Sequence, residues 1–456
     1  MDLVSRFDNL EDQRDAYGFD VSQIGLDARA CRRRCESVDA NYRGRWEAAI
    51  ASIARAGDAS PSIVTHGERR PSGDRARPMR RISRMVMGTR NGGEDNQAPK
   101  TVNGAPAPEV STAAPTVAPP PRVDKNGRAS GSFKAMIRRG VPAEHRPVIW
   151  PLLARLQGAV AHDEEYLRSA SYSLPRDDAN ARQIEMDLAR TFPGNTALRI
   201  VHSDISHGDD DDDDDDAVSD GNGDMVPSVP TPARGSTAHK NALRLMLRAY
   251  SATHPATGYC QGMNYVAAFL LLVIGPERVA DAYAVFAFLL DRVLYPRTYD
   301  ANLSGAHVSL MTLGALLEKK FPRLHAHMSR HDCSDPSLFA TDWFLTLMCK
   351  SLPAETAARV WDTVLSEGSK VLYRASLALL KLAEDRMLRG DHAGSVLEAL
   401  NHETRDCHDR ERLLTTMFHG IGSLPMRVVM RAQVKSVSVV NNQLADRFNR
   451  RSTSRK

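Results

Sequence analysis

From residue 132 onward, apolar side chains recur with the spacing of a helix face. Leu243, Met246, Leu247 and Tyr250 follow i, i+3, i+4, i+7, and Leu310, Leu313 and Leu317 repeat it. Ala357, Val360, Trp361, Val364 and Leu365 do the same after "SLP", where Ser351 is the expected N-cap and Pro353 falls in the first turn. The stretch "KVLYRASLALLKLAEDRML" is apolar on most faces, which predicts a helix at the centre of the core. No strand alternation and no repeat of fixed period interrupts this pattern. The predicted fold class is all-α.

The pattern also shows where helices stop. Residues 1–56 are sparse in apolar side chains; "DAYGFD", Asp15 to Asp20, reads as a turn, and a short helix around Tyr42 to Ala54 carries Trp46 and Ile50. From Gly57 to about Gly131, Pro, Ser, Gly, Ala and Arg dominate. A segment that buries so little apolar surface cannot offset its ordering entropy, so 57–131 is expected to be a disordered linker, basic near residues 69–90. The main domain is then 132–400, followed by a helical extension and basic tail over 401–456. Within it, 207–233 is an acidic insertion with eight consecutive aspartates, Asp209 to Asp216, expected to loop out at little closure cost. An uninterrupted run lacks the alternating ligands and glycine turn of a calcium loop, so no metal is assigned there.

A hydrophobic fraction of 42% supports a sizeable core, and the net charge of +4 hides the segregation of basic and acidic segments. The six cysteines form no disulfide framework. Cys31 and Cys35 fall one helical turn apart without a partner pair and read as reduced thiols. The opening "MDLVSRFDNL" has no apolar signal region, and the longest apolar run, Tyr265 to Ile274, is short of a membrane span. The expected location is cytoplasmic. No phosphate loop, dinucleotide fingerprint, HExxH or GxSxG is present, so chemistry must come from groups that stabilise charge or position a reactant.

Two stretches carry such groups. In "IEMDLARTFPGN", Ile184 and Leu188 share an inward face, while Arg190 in the last turn before Pro193 points well off it, three residues after Asp187. Taken alone, Asp187 and Arg190 are an i, i+3 ion pair on a solvated face, worth about 0.2–0.5 kcal/mol. In "HPATGYCQGMN", Gln261 closes a Pro/Gly loop ahead of an apolar helix; taken alone it is a capping or satisfied buried amide.

Together these stretches resemble the TBC domain, the GTPase-activating domain for Rab-family small GTPases. "RPVIW", Arg146 to Trp150, matches its R-x-x-x-W motif. "IEMDLART" matches I-x-x-D-x-x-R, and "YCQGMN", Tyr259 to Asn264, matches Y-x-Q-G-M-N. The motifs occur in the family's order, and the likeness continues to about residue 395. "DAYGFD" and Trp46 also resemble the N-terminal flank of the growth-hormone-regulated TBC subgroup. The linker and the aspartate-rich insertion depart from the family pattern without removing a motif residue.

The resemblance implies a two-lobed helical domain that supplies an arginine finger, Arg190, and a glutamine finger, Gln261, to a GTP-bound Rab protein. Asp187 then holds Arg190 or the local fold, Tyr259 and Asn264 position the glutamine loop, and Arg146 and Trp150 take structural or interface roles. No cofactor or metal of its own is implied, since GTP and Mg²⁺ arrive with the GTPase, and no nucleic acid is involved. Peripheral contact of the basic linker with anionic endomembranes is a further expectation, and Ser72 and Ser83 follow paired arginines as in basophilic kinase sites. Two other readings stand beside it: a catalytically silent TBC scaffold, and a helical adaptor unrelated to GTPases.

Overall fold

The computed structural model describes residues 14–21, 29, 35, 43–51, 131–198 and 237–453. Contacts group residues 1–50 and 121–456 into one unit and 51–120 into a second, of which only residue 51 is described. Cys31, Ser72, Ser83, residues 57–130 of the expected linker and the whole 207–233 insertion lie outside the described residues.

Among the described residues the only regular structure is helical, apart from an isolated bridge between Arg14 and Asp20. The chain is all-α. Helix α1 covers residues 43–51, close to the predicted span, with Trp46 fully buried and Ile50 half-buried. It is followed by α2 (Gly131–Arg139), α3 (Arg146–Leu156), α4 (Glu164–Ser173), α5 (Ala179–Arg190), α6 (Thr237–Thr253), α7 (Met263–Ile274) and α8 (Val279–Phe288). Then come α9 (Ser304–Lys320), α10 (Pro322–Arg330), α11 (Thr341–Leu345), α12 (Ala354–Glu367), α13 (Lys370–Met387), α14 (Ala393–Arg405), α15 (Arg410–Thr415) and α16 (Met426–Thr453).

The helices pack in two groups. In the first, α6 lies against α4, α5 and α7, and α7 continues onto α8. Its centre is α7, where Val266 to Leu271 have no exposed surface. In the second, α13 packs on α12, α14 and α9, while α16 covers α9. The prediction for α13 holds: Val371, Leu377, Ala378, Leu379 and Leu380 are fully buried. The expected cap of α12 does not. Pro353, not Ser351, occupies the N-cap position and offers no side-chain cap. Leu347 and Met348 turn the chain through positive φ (47° and 69°), and the Ser351 amide donates to the Met348 carbonyl, so Ser351 stays in that turn.

A buried charge cluster joins the two groups, because α3 packs on both α7 and α12. Arg146 Nε and Nη2 donate to the two oxygens of Asp362, each at 3.0 Å, and both residues are 0% exposed. Trp150 Nε1 donates to Asp362 Oδ1 at 2.8 Å and the Val141 amide to Oδ2 at 3.3 Å. The carboxylate therefore carries the four acceptor contacts that burial demands. Trp150 also stacks on Trp361 at 5.5 Å.

The N-terminal residues are part of this unit. Asp15 Oδ1 accepts from the Tyr17 and Phe19 amides, forming the predicted turn. Arg146 Nη1 donates to the Tyr17 hydroxyl at 2.5 Å, and Trp46 Nε1 donates to the Gly140 carbonyl at 2.6 Å.

Replacing Asp362 by Ala removes the carboxylate that compensates the buried Arg146 charge. The expected loss is about 3–5 kcal/mol, read as a lowered urea midpoint. A change under about 1 kcal/mol contradicts the role assigned to this pair.

Candidate functional site

Helix α5 is capped by Asp178, whose Oδ1 accepts from the Asn180 amide at 2.7 Å and the Ala181 amide at 3.4 Å. Ile184 and Leu188 point inward, as their spacing predicts. Arg190 closes the helix, where a cation complements the carbonyl end of the dipole. The next residues leave abruptly: Thr191 is extended, and Phe192 takes φ 46°. The helix thus ends three residues before Pro193.

Arg190 and Asp187 form the expected ion pair, but not on a solvated face. Asp187 is fully buried, while the Arg190 side chain is 52% exposed. The burial has a structural reason. Asp187 Oδ1 accepts from Arg190 Nη2 and from Gln183 Nε2 (3.0 Å), and Oδ2 accepts from the Tyr259 hydroxyl at 2.6 Å. Burial first, then the adjoining Asp187 carboxylate, pushes the Tyr259 phenol upward, so its hydroxyl remains a proton donor at neutral pH.

Tyr259 opens the second stretch. The loop leaves α6 at His254, whose carbonyl accepts from the Thr257 and Gly258 amides. Gly258 has φ +63°, and a Cβ there would come within 2.9 Å of Asn180 Oδ1, the atom that receives the Tyr259 amide at 3.0 Å. Gly262 has φ +114°, a conformation that strains any L side chain, and a Cβ there would press to 3.0 Å from the Leu345 carbonyl oxygen. Between these points Gln261 is exposed, and no hydrogen bond joins its side chain to the described residues. It is neither a cap nor a buried amide, which corrects the plain reading of that residue.

Further bonds tie this loop to the end of α5. Asn264 Oδ1 accepts from the Gly262 amide at 3.0 Å, and its Nδ2 donates to Thr191 Oγ1 at 2.8 Å. The Tyr265 hydroxyl donates to the Arg190 carbonyl at 3.4 Å. The Tyr265 ring meets Phe192 edge-on at 5.0 Å, and Phe192 meets Phe19 of the N-terminal turn at 5.2 Å. Asn195 Nδ2 donates to the Tyr17 carbonyl at 2.7 Å. These contacts hold Phe192 in a conformation that costs an L side chain on the order of 1 kcal/mol.

Beside the loop opens a cleft of about 640 Å³, lined among others by Tyr259, Gln261, Tyr265, Asp300, Asp342 and Lys350. Arg190 is not among the lining residues; its main chain meets the cleft wall through Tyr265. Cys260 also lines it, but burial and the charges of Asp187 and Asp300 push its thiol up to about 11, so it stays protonated at neutral pH. Among the described residues no group of three or more His, Cys, Asp or Glu is placed to hold a metal ion.

Of the residues singled out from sequence, Arg190, Asp187 and Tyr259 are joined through one buried carboxylate, Asn264 ties the loop to Thr191, and Gln261 stands exposed two residues after Tyr259. Arg146 and Trp150 belong instead to the Asp362 cluster. Asn180, Gln183, Thr191, Phe192 and Tyr265 were not anticipated. Tyr265 directly follows the third motif and Gln183 stands one helical turn before Asp187, but the contact of Asn180 with distant Tyr259 leaves no local signal.

Residues 203–388 match the Rab-GTPase-TBC domain family. This span is a TBC domain. The matched span of the TBC domain includes Tyr259, Gln261 and Asn264 and begins after Arg146 and Arg190. TBC1 domain family member 2A of Mus musculus is 31% identical over 303 residues, 65% of this chain and 28% of that protein. Its Homo sapiens counterpart is 31% identical over 309 residues, 68% and 29% respectively. The chain thus spans less than a third of these relatives. The crystal structure of the Chlamydomonas flagellar RabGAP TBC domain superposes with a TM-score of 0.55 at 24% identity, covering 89% of this chain and 99% of that one. The two share the helical fold.

Tyr259→Phe removes one donor from the buried Asp187 carboxylate. Stability is expected to fall by about 1.5–3 kcal/mol, with faster hydrogen exchange at the Tyr259 and Gly262 amides. Unchanged exchange at both amides contradicts this coupling.

His254, at the root of the loop, gives a pH-dependent prediction. Its Nε2 lies 3.4 Å from Asp291 Oδ2, and its ring stacks on Tyr250 at 4.0 Å. The hydrogen bond to Asp291 raises its pKa above 6.5, burial opposes this, and the Asp291 charge and Tyr250 carbonyl reinforce it. The folded state holds the proton more tightly than the unfolded chain. This stabilisation is complete below 6.5 and disappears as pH rises through the folded-state value. Urea midpoints of the wild type are expected to fall across that window relative to His254→Gln; parallel curves contradict it.

Proposed function

We propose that this TBC domain accelerates GTP hydrolysis on a Rab-family small GTPase, acting as an activator that lends side chains to the partner's site. Such activity switches the GTPase off and thereby regulates vesicle trafficking. The observation that carries this reading is the joint anchoring of Arg190 and the Gln261 loop by one buried carboxylate, Asp187.

The slow step in an unassisted GTPase is limited by negative charge on the transferring phosphoryl group and the leaving oxygen, and by a poorly held attacking water. Arg190 meets the first need. Asp187 holds one terminal nitrogen of its guanidinium, which leaves the remaining donors of the planar fork for phosphate oxygens. The guanidinium is held on one edge while half of the side chain stays exposed, so less side-chain entropy is lost when a triphosphate arrives.

Gln261 meets the second need. Its exposed carboxamide carries both an acceptor for a water hydrogen and a donor for a phosphate oxygen. Water attacks the γ-phosphorus, the bond to the β-γ bridging oxygen breaks, and the products are GDP and phosphate. Nucleotide and Mg²⁺ belong to the partner. Tyr259 and Asn264 act as positioning residues for the loop.

The test is GTP hydrolysis by a panel of GTP-bound Rab proteins with wild type, Arg190→Ala, Arg190→Lys and Gln261→Ala. Wild type is expected to accelerate at least one Rab. Arg190→Ala should lose on the order of 10³-fold, with Arg190→Lys recovering little of it. Gln261→Ala should lose about 10²-fold, and binding to the GTP-bound Rab should persist in all variants. Binding without acceleration by the wild type replaces this reading with a silent scaffold.

A further inference from the structure

Helix α16 carries an unusual distribution of side chains. Its inward seam, Val429, Gln433, Ser436 and Val440, is half polar: Gln433 Nε2 donates to the Tyr373 hydroxyl at 3.3 Å, and Ser436 Oγ accepts from Thr312 Oγ1 at 3.2 Å. Its outward surface holds the larger apolar groups. Met426, Met430, Val434 and Val439 are all exposed, Met430 by 55% and Val434 by 70%. A helix that needed only to cover α9 would have these sets the other way round.

Charge completes the pattern. Met426, Met430 and Val434 recur every four residues as one stripe, with Val437 falling between them. Arg427, Arg431 and Lys435 repeat the same spacing one residue later, about 100° around the helix, and all three are exposed. No aspartate or glutamate occurs anywhere from Arg412 to Ala445. Lys320 adds its charge at the start of the helix, where Nζ donates to the Ile421 and Ser423 carbonyls. No helix among the described residues is long and apolar enough to cross a membrane.

We propose that the outward face of α16 is a docking surface for an anionic lipid bilayer, with Met430 and Val434 entering the headgroup boundary and Arg427, Arg431 and Lys435 pairing with acidic headgroups. Apolar side chains beside an unopposed basic row fit that surface, since the bilayer supplies both an apolar phase and negative charge within a few ångströms. A soluble acidic protein would satisfy the basic row but give the apolar stripe no matching phase. A second copy of the chain would bring another basic row against this one and be repelled. The proposal does not depend on the GTPase reading, because lipid binding needs no nucleotide and no partner protein.

The experiment is flotation of the full chain with phosphatidylcholine vesicles, with and without phosphatidylserine. Wild type is expected to float only with the anionic vesicles, and less as salt shortens the screening length from about 8 Å to about 3 Å. Each basic side chain at the surface strengthens binding about fivefold. Arg427→Gln, Arg431→Gln and Lys435→Gln together should therefore weaken binding on the order of a hundredfold. Met430→Ser with Val434→Ser should weaken it about tenfold. All replaced side chains are exposed, so melting temperatures should match the wild type, which separates lost docking from lost fold. The proposal is overturned if the triple variant floats like the wild type, if neutral vesicles bind equally well, or if neither vesicle is bound. It is also overturned if light scattering shows a dimer that the serine variant dissolves.

Discussion

A carboxylate removed from water must have its lone pairs met by donors, and Asp187 obtains those donors from two segments far apart in the chain. Gln183 and Arg190 come from its own helix, and Tyr259 comes from the loop before α7. Because Asp187 is fully buried, losing either side exposes the other to the desolvation penalty of an unpaired ion. Arg190 and Gln261 are consequently not two independent surface residues. Their backbones are positioned by one charge-balanced unit, reinforced by the Asn264–Thr191 and Tyr265–Arg190 hydrogen bonds.

The Asp362 cluster applies the same physics at a larger scale. It links α3 to α12, and so the helices that carry the site to the C-terminal group that supports them. The cleft beside Gln261 draws on both groups, since Tyr259 and Tyr265 come from the first and Asp342 and Lys350 from the second. Two buried carboxylates thus perform different tasks: one sets local side-chain geometry, and the other keeps the two walls of the cleft in register.

Helical periodicity made the fold legible in the sequence. Leu243, Met246, Leu247 and Tyr250, and the crowded stretch of α13, are buried where their spacing places them. Motif likeness brought Arg190, Asp187, Tyr259, Gln261 and Asn264 to attention together. What remained hidden has a common cause. Ser351 is a good capping residue by type, but the Leu347–Met348 turn set the helix start at Pro353, a tertiary constraint that overrides local preference. Asp187 belongs on a solvated face by residue type and is buried because Tyr259 arrives from elsewhere. Asn180 and Phe192 gain their roles only through residues remote in sequence, and no periodicity encodes such contacts.

The turn at Asp15 to Asp20 couples distant segments in another way. Tyr17 touches the Arg146 guanidinium and, through its carbonyl, Asn195; Phe19 rests on Phe192, next to Thr191 and Arg190. A segment ahead of residue 131 therefore completes the packing around Phe192, two residues past the end of α5. Shortening the protein to its helical bundle for expression would leave the bundle's own helices intact and still withdraw a wedge from behind Phe192. The boundary of a working unit, in this protein, is set by where the last supporting ring comes from rather than by where the last motif begins.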